Sequence, residues 1–163
     1  NNMSKIKNKM IFNLILWFSI FALIAAYFIQ YVLKHQPCNL CLIERIPYFF
    51  SIIVISIHLF TKKFEKISLV ILSLIFFSAT LIALYHFGVE QGFIEESLVC
   101  DLNNENNNLS KQDLLNQLKE IPVSCKNVTF RVFGLSLATF NIFINLILCV
   151  IITNIFLTHE KNR

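Results

Sequence analysis

Long runs of apolar residues, separated by short polar segments, dominate this chain. Three of these runs contain no charged residue: 11–33, 67–87 and 135–157. About 20 apolar residues suffice for a helix to cross the hydrocarbon core of a bilayer. Each run therefore predicts one transmembrane helix.

A fourth apolar run, 46–60, is too short to cross a membrane by itself. It reaches spanning length if its helix begins near Leu40, which gives a span at 40–60 with Glu44 and Arg45 at the membrane interface. The alternative for this segment is a re-entrant or interfacial helix. With the fourth span included, the pattern predicts an all-α membrane protein, a four-transmembrane-helix bundle that forms a single integral membrane domain over the whole chain.

The first run follows several lysines, as the apolar region of a signal peptide does. Signal peptides, however, have apolar regions of only about 7–15 residues before a small-residue cleavage site. The run at 11–33 is longer and contains no Ala-x-Ala pattern. We therefore expect a retained span.

Basic residues flank the predicted spans at their ends on one side of the membrane: Lys5, Lys7, Lys9, Lys62, Lys63, Lys66, Lys161 and Arg163. The positive-inside rule makes this side cytoplasmic, with both termini. The outer loops are then 34–39 and 88–134. The composition agrees with a membrane protein, because only 15% of the residues are charged, against about 25% in soluble domains. Short basic flanks give no support to nucleic-acid binding.

The second outer loop contains a pattern typical of a short helix. Ser110 and Asp113 form a start that resembles a capping box, and Pro122 ends the segment. Between them, apolar residues recur at helical spacing: Leu114, Leu115, Leu118 and Ile121. Such a helix lies flat on the membrane surface or packs on the outer ends of the spans, and the sequence leaves both open.

Four of the five cysteines fall on the predicted outer side: Cys38, Cys41, Cys100 and Cys125. An oxidising compartment preserves disulfides there, and four cysteines allow three pairings. Cys149 lies inside the fourth span, where a cysteine acts as a small apolar packing residue. A structural zinc site with four cysteines is the alternative, but the chain has one Cys-x-x-Cys motif rather than two.

The surroundings of the Cys-x-x-Cys motif favour redox chemistry. Pro37 precedes the motif, and a helix that starts at or just after it presents its positive end to Cys41. Arg45 follows Cys41 by four residues, so both lie on one helix face, and the guanidinium remains charged. The alternative is that Arg45 anchors the helix at the interface, paired with Glu44.

Three segments carry recognisable motifs: CNLCLIER at 38–45, YHFGVEQG at 85–92 and FGLSLA at 133–138, the last followed by Asn141. They resemble the C-x-L-C-x-x-E-R signature, the Y-H-x-G-V-E-x-G segment and the opening of the last span in the DsbB family. This family comprises the quinone-reducing membrane oxidases of bacterial disulfide formation. The resemblance covers nearly the whole chain.

The resemblance implies two redox-active disulfides, Cys38–Cys41 and Cys100–Cys125, with all four cysteines catalytic. A reduced periplasmic thiol oxidase of the DsbA type would attack the second disulfide at Cys100. Exchange through a transient Cys38–Cys125 link would then pass the electrons to the first pair. The protein would thereby support disulfide formation in exported proteins.

The resemblance also implies a cofactor, a location and a set of binding residues. Cys41 would deliver electrons to a membrane quinone, ubiquinone or menaquinone, and through it to the respiratory chain. Arg45 would orient the quinone, and His86 is a weaker candidate, equally explained as an interfacial hydrogen-bonding residue. The protein would lie among the lipids of the bacterial inner membrane, with its cysteine loops in the periplasm. No metal is expected.

Three other functions compete with this hypothesis. A vitamin-K-epoxide-reductase-like protein would carry its Cys-x-x-Cys after the loop cysteines, whereas here the motif comes first. A tetraspan scaffold with structural disulfides gives no reason for Arg45 to follow Cys41 by one helical turn. A metal transporter would need several polar or acidic groups deep in the spans. Here the only charges within a predicted span are Glu44 and Arg45, at its outer edge.

Overall fold

The computed structural model describes residues 2–61, 64–95, 125–126 and 131–161. Within these residues it contains five α-helices and one β-hairpin: α1 Asn2–Tyr31, α2 Asn39–Ile43, α3 Ile46–Thr61, α4 Glu65–Glu90, β1 Arg131–Val132, β2 Leu135–Ser136 and α5 Leu137–Lys161. The short helix expected between Ser110 and Pro122 lies outside the described residues.

Four helical segments in the described part of the chain are long and apolar enough to cross a membrane: Lys7–Tyr31, Asn39–Thr61, Glu65–Glu90 and Leu137–His159. Many large apolar side chains on their outer surfaces are exposed, as a lipid-facing surface requires. The prediction of an all-α, four-transmembrane-helix bundle is confirmed.

The second span, predicted at 40–60, consists of α2 and α3, separated by a turn at Glu44 and Arg45. Pro47 explains the break, because it has no N–H to donate to the carbonyl of Ile43. The Arg45 N–H bonds instead to the Leu42 carbonyl at 3.2 Å, which tightens the chain at this point. The break lies one turn after the Cys-x-x-Cys motif.

A two-residue hairpin precedes the fourth span. Arg131 pairs with Ser136 and Val132 with Leu135. The turn between them has positive φ at Phe133 (51°) and Gly134 (81°), the pattern of a type I′ turn. Because residues 135 and 136 form β2, the helix begins at residue 137, two residues after the predicted start of the span.

The third span extends to Glu90 rather than to residue 87, where the outer loop was predicted to begin after it. Gly92 has a φ of 78°, the left-handed conformation that commonly ends a helix. The Gly88 carbonyl accepts hydrogen bonds from the N–H groups of Phe93 (2.9 Å) and Ile94 (3.2 Å). His86 therefore lies within the last turns of α4 rather than at its end.

Apolar side chains from all four spans fill the centre of the bundle. The fully buried members include Ile55 on α3, Leu72 and Phe76 on α4, and Ile152 on α5, and Phe12 of α1 joins the same cluster. Polar pairs join the spans around this core. Their distances are 2.7 Å for Asn8–Glu65, 3.1 Å for Ser19–Ser51 and 3.1 Å for Ser73–Thr153.

Leu72 and Leu74 provide a matched test of this core. Leu72 is fully buried, whereas Leu74 on the same helix is 62% exposed. Lipid tails are as apolar as leucine, so Leu72→Ala loses packing alone, and we expect the free energy of unfolding to fall by roughly 1–3 kcal/mol. Leu74→Ala should leave it nearly unchanged. Circular dichroism during unfolding in mixed dodecylsulfate micelles measures both, and equal losses would contradict this packing.

Candidate functional site

The cysteine pair lies at the start of the second span. Cys38 is the N-cap residue of α2, and its Sγ accepts the Cys41 N–H at 3.4 Å. The two Sγ atoms are 3.0 Å apart, and both cysteines are free. The helix was predicted to present its positive end to Cys41. Because α2 begins at Asn39, Cys38 occupies the capping position and Cys41 lies within the first turn.

The two thiols have different surroundings. Cys38 is buried and Cys41 is partly exposed. The hydrogen bond with Cys41 and, next, burial raise the pKa of the Cys38 thiol to about 12, while the hydrogen bond with His86 acts to lower it. Cys38 therefore retains its proton at neutral pH.

His86 connects the cysteine pair to a buried carboxylate. Its Nε2 lies 3.5 Å from the Cys38 Sγ, and its Nδ1 lies 2.7 Å from Glu44 Oε1. Both His86 and Glu44 are buried. The sequence placed His86 at a helix end and Glu44 beside Arg45. It did not reveal their contact, because they are 42 positions apart.

Asn141 of the fourth span holds the other carboxylate oxygen of Glu44, and two further polar residues hold Asn141. Asn141 Nδ2 donates to Glu44 Oε2 at 2.9 Å. The Tyr48 hydroxyl and Asn145 Nδ2 both donate to Asn141 Oδ1, at 2.5 Å and 3.1 Å. Sequence reasoning noted Asn141 only as part of a motif and missed Tyr48 and Asn145. Two amides four positions apart in the first half of a largely apolar span were the available signal.

Arg45 is held by the first span and does not form the alternative pair with Glu44. Its Nη1 donates to Gln30 Oε1 at 2.6 Å, and its Cζ lies 4.8 Å from the centre of the Tyr27 ring. The ring face attracts the guanidinium. Glu44 is engaged by His86 and Asn141 instead.

A cavity of about 340 Å³ brings these groups together. Polar or titratable side chains line one part of it, among them Cys38, Cys41, Glu44, Arg45, Tyr48, His86 and Asn141. Apolar side chains of α1 and α5 line another: Phe18, Phe21, Ala22, Ala26, Ile29, Leu137, Phe140 and Ile144. Its volume is within the range of pockets that bind small organic molecules. The arrangement can receive an apolar molecule with a polar head.

Cys125 lies in the same region. It is buried in a cluster with Cys38, Leu40 and Val89, and it also lines the cavity. The structure thus brings together three of the four cysteines predicted to be catalytic. Cys100 lies outside the described residues, so the Cys100–Cys125 pairing stays a prediction.

Cys38, Cys41 and His86 also form a group that could hold a metal ion, with one ligand atom each and all three atoms within 4.8 Å of one another. Structural zinc takes four protein ligands. The grouping meets the needs of thiol chemistry equally well, since a dithiol next to an imidazole has a nearby acceptor for its protons.

Comparison with known proteins gives two matches. The family model for DsbB, disulfide bond formation protein DsbB, matches residues 8–155. An uncharacterized protein of Rickettsia prowazekii (strain Madrid E) is 26% identical over 165 residues, which cover 100% of this chain and 96% of that protein. The family match contains the cysteine pair, the cavity and most of all four spans.

The unequal surroundings of the two thiols predict unequal reactivity. In the fully reduced protein at pH 7.5, iodoacetamide should modify Cys41 well before Cys38, because Cys38 is buried and its thiol pKa is raised. Peptide mass spectrometry after timed quenching gives the order. Buried Cys125 serves as the internal reference for access. Modification of Cys38 first would refute the assigned asymmetry.

Proposed function

This chain belongs to the DsbB family of disulfide bond formation proteins, and we propose that it is a protein thiol:quinone oxidoreductase. In this proposal it reoxidises a soluble dithiol oxidase of the DsbA type and passes the electrons to a membrane quinone. The observation that carries the proposal is the position of the Cys38–Cys41 pair on the wall of a largely apolar cavity.

The residues around the cavity fit a quinone. A quinone has a polar ring and an apolar tail, and the cavity offers both kinds of surface. Cys41 and Arg45 would hold the ring, with His86 as a further contact, and the small side chains Ala22 and Ala26 leave room for the tail. When bound, a quinone supplies an acceptor for two electrons and two protons. Ubiquinone and menaquinone share this chemistry.

Arg45 is suited to a binding role because its position is fixed. Gln30 accepts its hydrogen bond and Tyr27 covers the guanidinium, so little side-chain entropy remains to be lost on binding. A permanently charged donor at the cavity wall stabilises negative charge that develops on a neighbouring sulfur or ring oxygen.

The electrons would enter through thiol–disulfide exchange. The partner oxidase would reduce the Cys100–Cys125 disulfide, with its first attack at Cys100. A liberated Cys125 thiolate would then attack Cys38 and break the Cys38–Cys41 bond, which leaves Cys41 as the thiolate beside the cavity. Once the partner's second thiol releases Cys100, attack of Cys100 on Cys125 would re-form the second disulfide and free Cys38, which completes the Cys38–Cys41 dithiol. The burial of Cys125 and Cys38 in one cluster supports this order.

The proposed location follows from the spans and their flanks. The chain is a multi-pass membrane protein with four spanning helices. Lysines at one set of helix ends support a bacterial inner-membrane orientation with cytoplasmic termini and periplasmic cysteine loops.

Loss of Cys41 tests the proposed electron donor. Purified protein with a reduced DsbA-type partner and a short-chain ubiquinone should consume the ultraviolet absorbance of the quinone, and Cys41→Ala should abolish this. Cys149→Ala is the matched control, because Cys149 contacts Ser73 within the bundle and does not line the cavity. Quinone turnover that survives Cys41→Ala in folded protein would disprove the assignment.

Arg45→Ala tests quinone binding. Loss of one charge-assisted interaction should raise the apparent KM for the quinone roughly tenfold. Arg131→Ala, at an exposed position on β1, should leave that KM unchanged. Initial rates over a series of quinone concentrations give both values. An unchanged KM in Arg45→Ala would remove Arg45 from the proposed site.

A further inference from the structure

A continuous chain of polar side chains runs from Cys38 into the bundle. It passes from the Cys38 Sγ to His86 (3.5 Å), to Glu44 (2.7 Å) and to Asn141 (2.9 Å). The Tyr48 hydroxyl then holds Asn141 at 2.5 Å. Three spans contribute to this chain, so its geometry depends on how they pack.

The chemistry of the groups fixes the direction of its hydrogen bonds. An ionised Glu44 can only accept, so Asn141 must present its amide NH₂ to it. Asn141 Oδ1 then faces Tyr48 and Asn145, and both of these can donate. His86 must likewise donate from Nδ1, because a carboxylate oxygen lies opposite. Its Nε2 is therefore the atom directed at Cys38.

Burial makes this arrangement costly to disturb. Glu44, His86 and Asn145 are all buried at the outer part of the bundle. Removing the Asn141 donor leaves a buried carboxylate under-satisfied and free to move, and a displaced Glu44 no longer fixes the tautomer and orientation of His86.

Oxidation of Cys38 requires a nearby acceptor for its thiol proton. Oxidation of the Cys38–Cys41 dithiol forms one S–S bond and releases two electrons and two protons. Under the proposed function the quinone takes both electrons and, as it becomes the quinol, two protons. The Cys38 thiol holds its proton tightly, since its pKa is about 12. His86 Nε2 is the described imidazole nitrogen within reach of it.

We propose that Asn141 is a positioning residue which, supported by Tyr48, holds Glu44 and through it orients His86 to take the proton from Cys38. His86 is the catalytic base that touches the reacting sulfur, and Asn141 and Tyr48 act through Glu44. The proposal deepens the thiol:quinone oxidoreductase function and depends on it for the redox step. The proton transfer between Cys38 and His86 is separately measurable.

Single-turnover kinetics test the role of Asn141. Pre-reduced protein lacking the second pair (Cys100→Ser, Cys125→Ser) is mixed with a short-chain ubiquinone at several pH values. Because Asn141 also lines the cavity, rates are compared at saturating quinone, where Asn141→Leu should slow oxidation of the dithiol about tenfold at neutral pH and shift the rate profile about one pH unit upward. Asn154→Leu, the same change at an exposed position of α5, should match the parent.

A milder variant separates positioning from folding. Tyr48→Phe removes only the hydroxyl that donates to Asn141. It should shift the profile in the same direction by a smaller amount, whereas Tyr31→Phe, at a residue 69% exposed, should not. Asn141→Leu and Tyr48→Phe could instead lower thermal stability and leave the pH profile in place. These hydrogen-bonded side chains would then only stabilise the fold, and the proposal would be overturned.

A measurement that needs no quinone tests the proton transfer between Cys38 and His86 separately from the proposed quinone reduction. In a Cys41→Ser, Cys100→Ser, Cys125→Ser background, alkylation of Cys38 is followed against pH. Asn141→Leu should move its midpoint upward, because a misoriented His86 no longer favours the thiolate. The remaining titratable groups lining the cavity are His35, Arg45, Tyr48 and Glu90, and none is altered.

The combined outcomes are unambiguous. A shifted alkylation midpoint without any quinone reduction by the parent protein would refute the proposed function. It would still support proton transfer between Cys38 and His86. Quinone reduction by the parent protein, with both pH profiles unchanged by Asn141→Leu, would refute the positioning role of Asn141. The proposed function would stand.

Discussion

The hydrogen-bonded carboxyl group of Glu44 organises the end of the bundle that carries the cysteine pair. An ionised carboxyl inside a membrane protein costs several kcal/mol unless donors surround it. Here His86 of the third span and Asn141 of the fourth supply them, so the second span is tied to both neighbours at one point. The turn before Pro47 lies at Glu44 itself. A helix break, a buried carboxyl group and three spans therefore converge on the cysteine motif.

This arrangement makes the two cysteines unequal. Cys38 caps α2, faces His86 and shares its cluster with Cys125, whereas Cys41 is more exposed. In the proposed function, the buried sulfur takes part in exchange and proton transfer. The more exposed sulfur, with Arg45 on the wall of the same cavity, would deliver electrons to a membrane acceptor. One helical turn thus separates two chemical roles that a Cys-x-x-Cys motif alone does not distinguish.

The sequence predicted the bundle because spanning helices are encoded locally, in the length of each apolar run. It also indicated the cysteine motif and Arg45, which lie within eight residues of one another. It could not predict the contact of His86 with Glu44 or the support from Tyr48 and Asn141, because these residues meet only when three spans pack. The hairpin before α5 was missed for a different reason. Its two-residue strands are too short to show an alternating pattern, although Phe133-Gly134 occupies a turn with two positive φ angles.

Under the proposed function, electrons leave this protein from the Cys38–Cys41 dithiol. The most direct measurement is the stoichiometry of one turnover in protein with Cys100 and Cys125 replaced by serine, reduced and freed of reductant before a short-chain quinone is added. One quinol should form per protein chain, and the peptide that contains Cys38 and Cys41 should lose two hydrogen atoms. Quinone that remains oxidised while this dithiol persists, in protein shown to be folded, would contradict it.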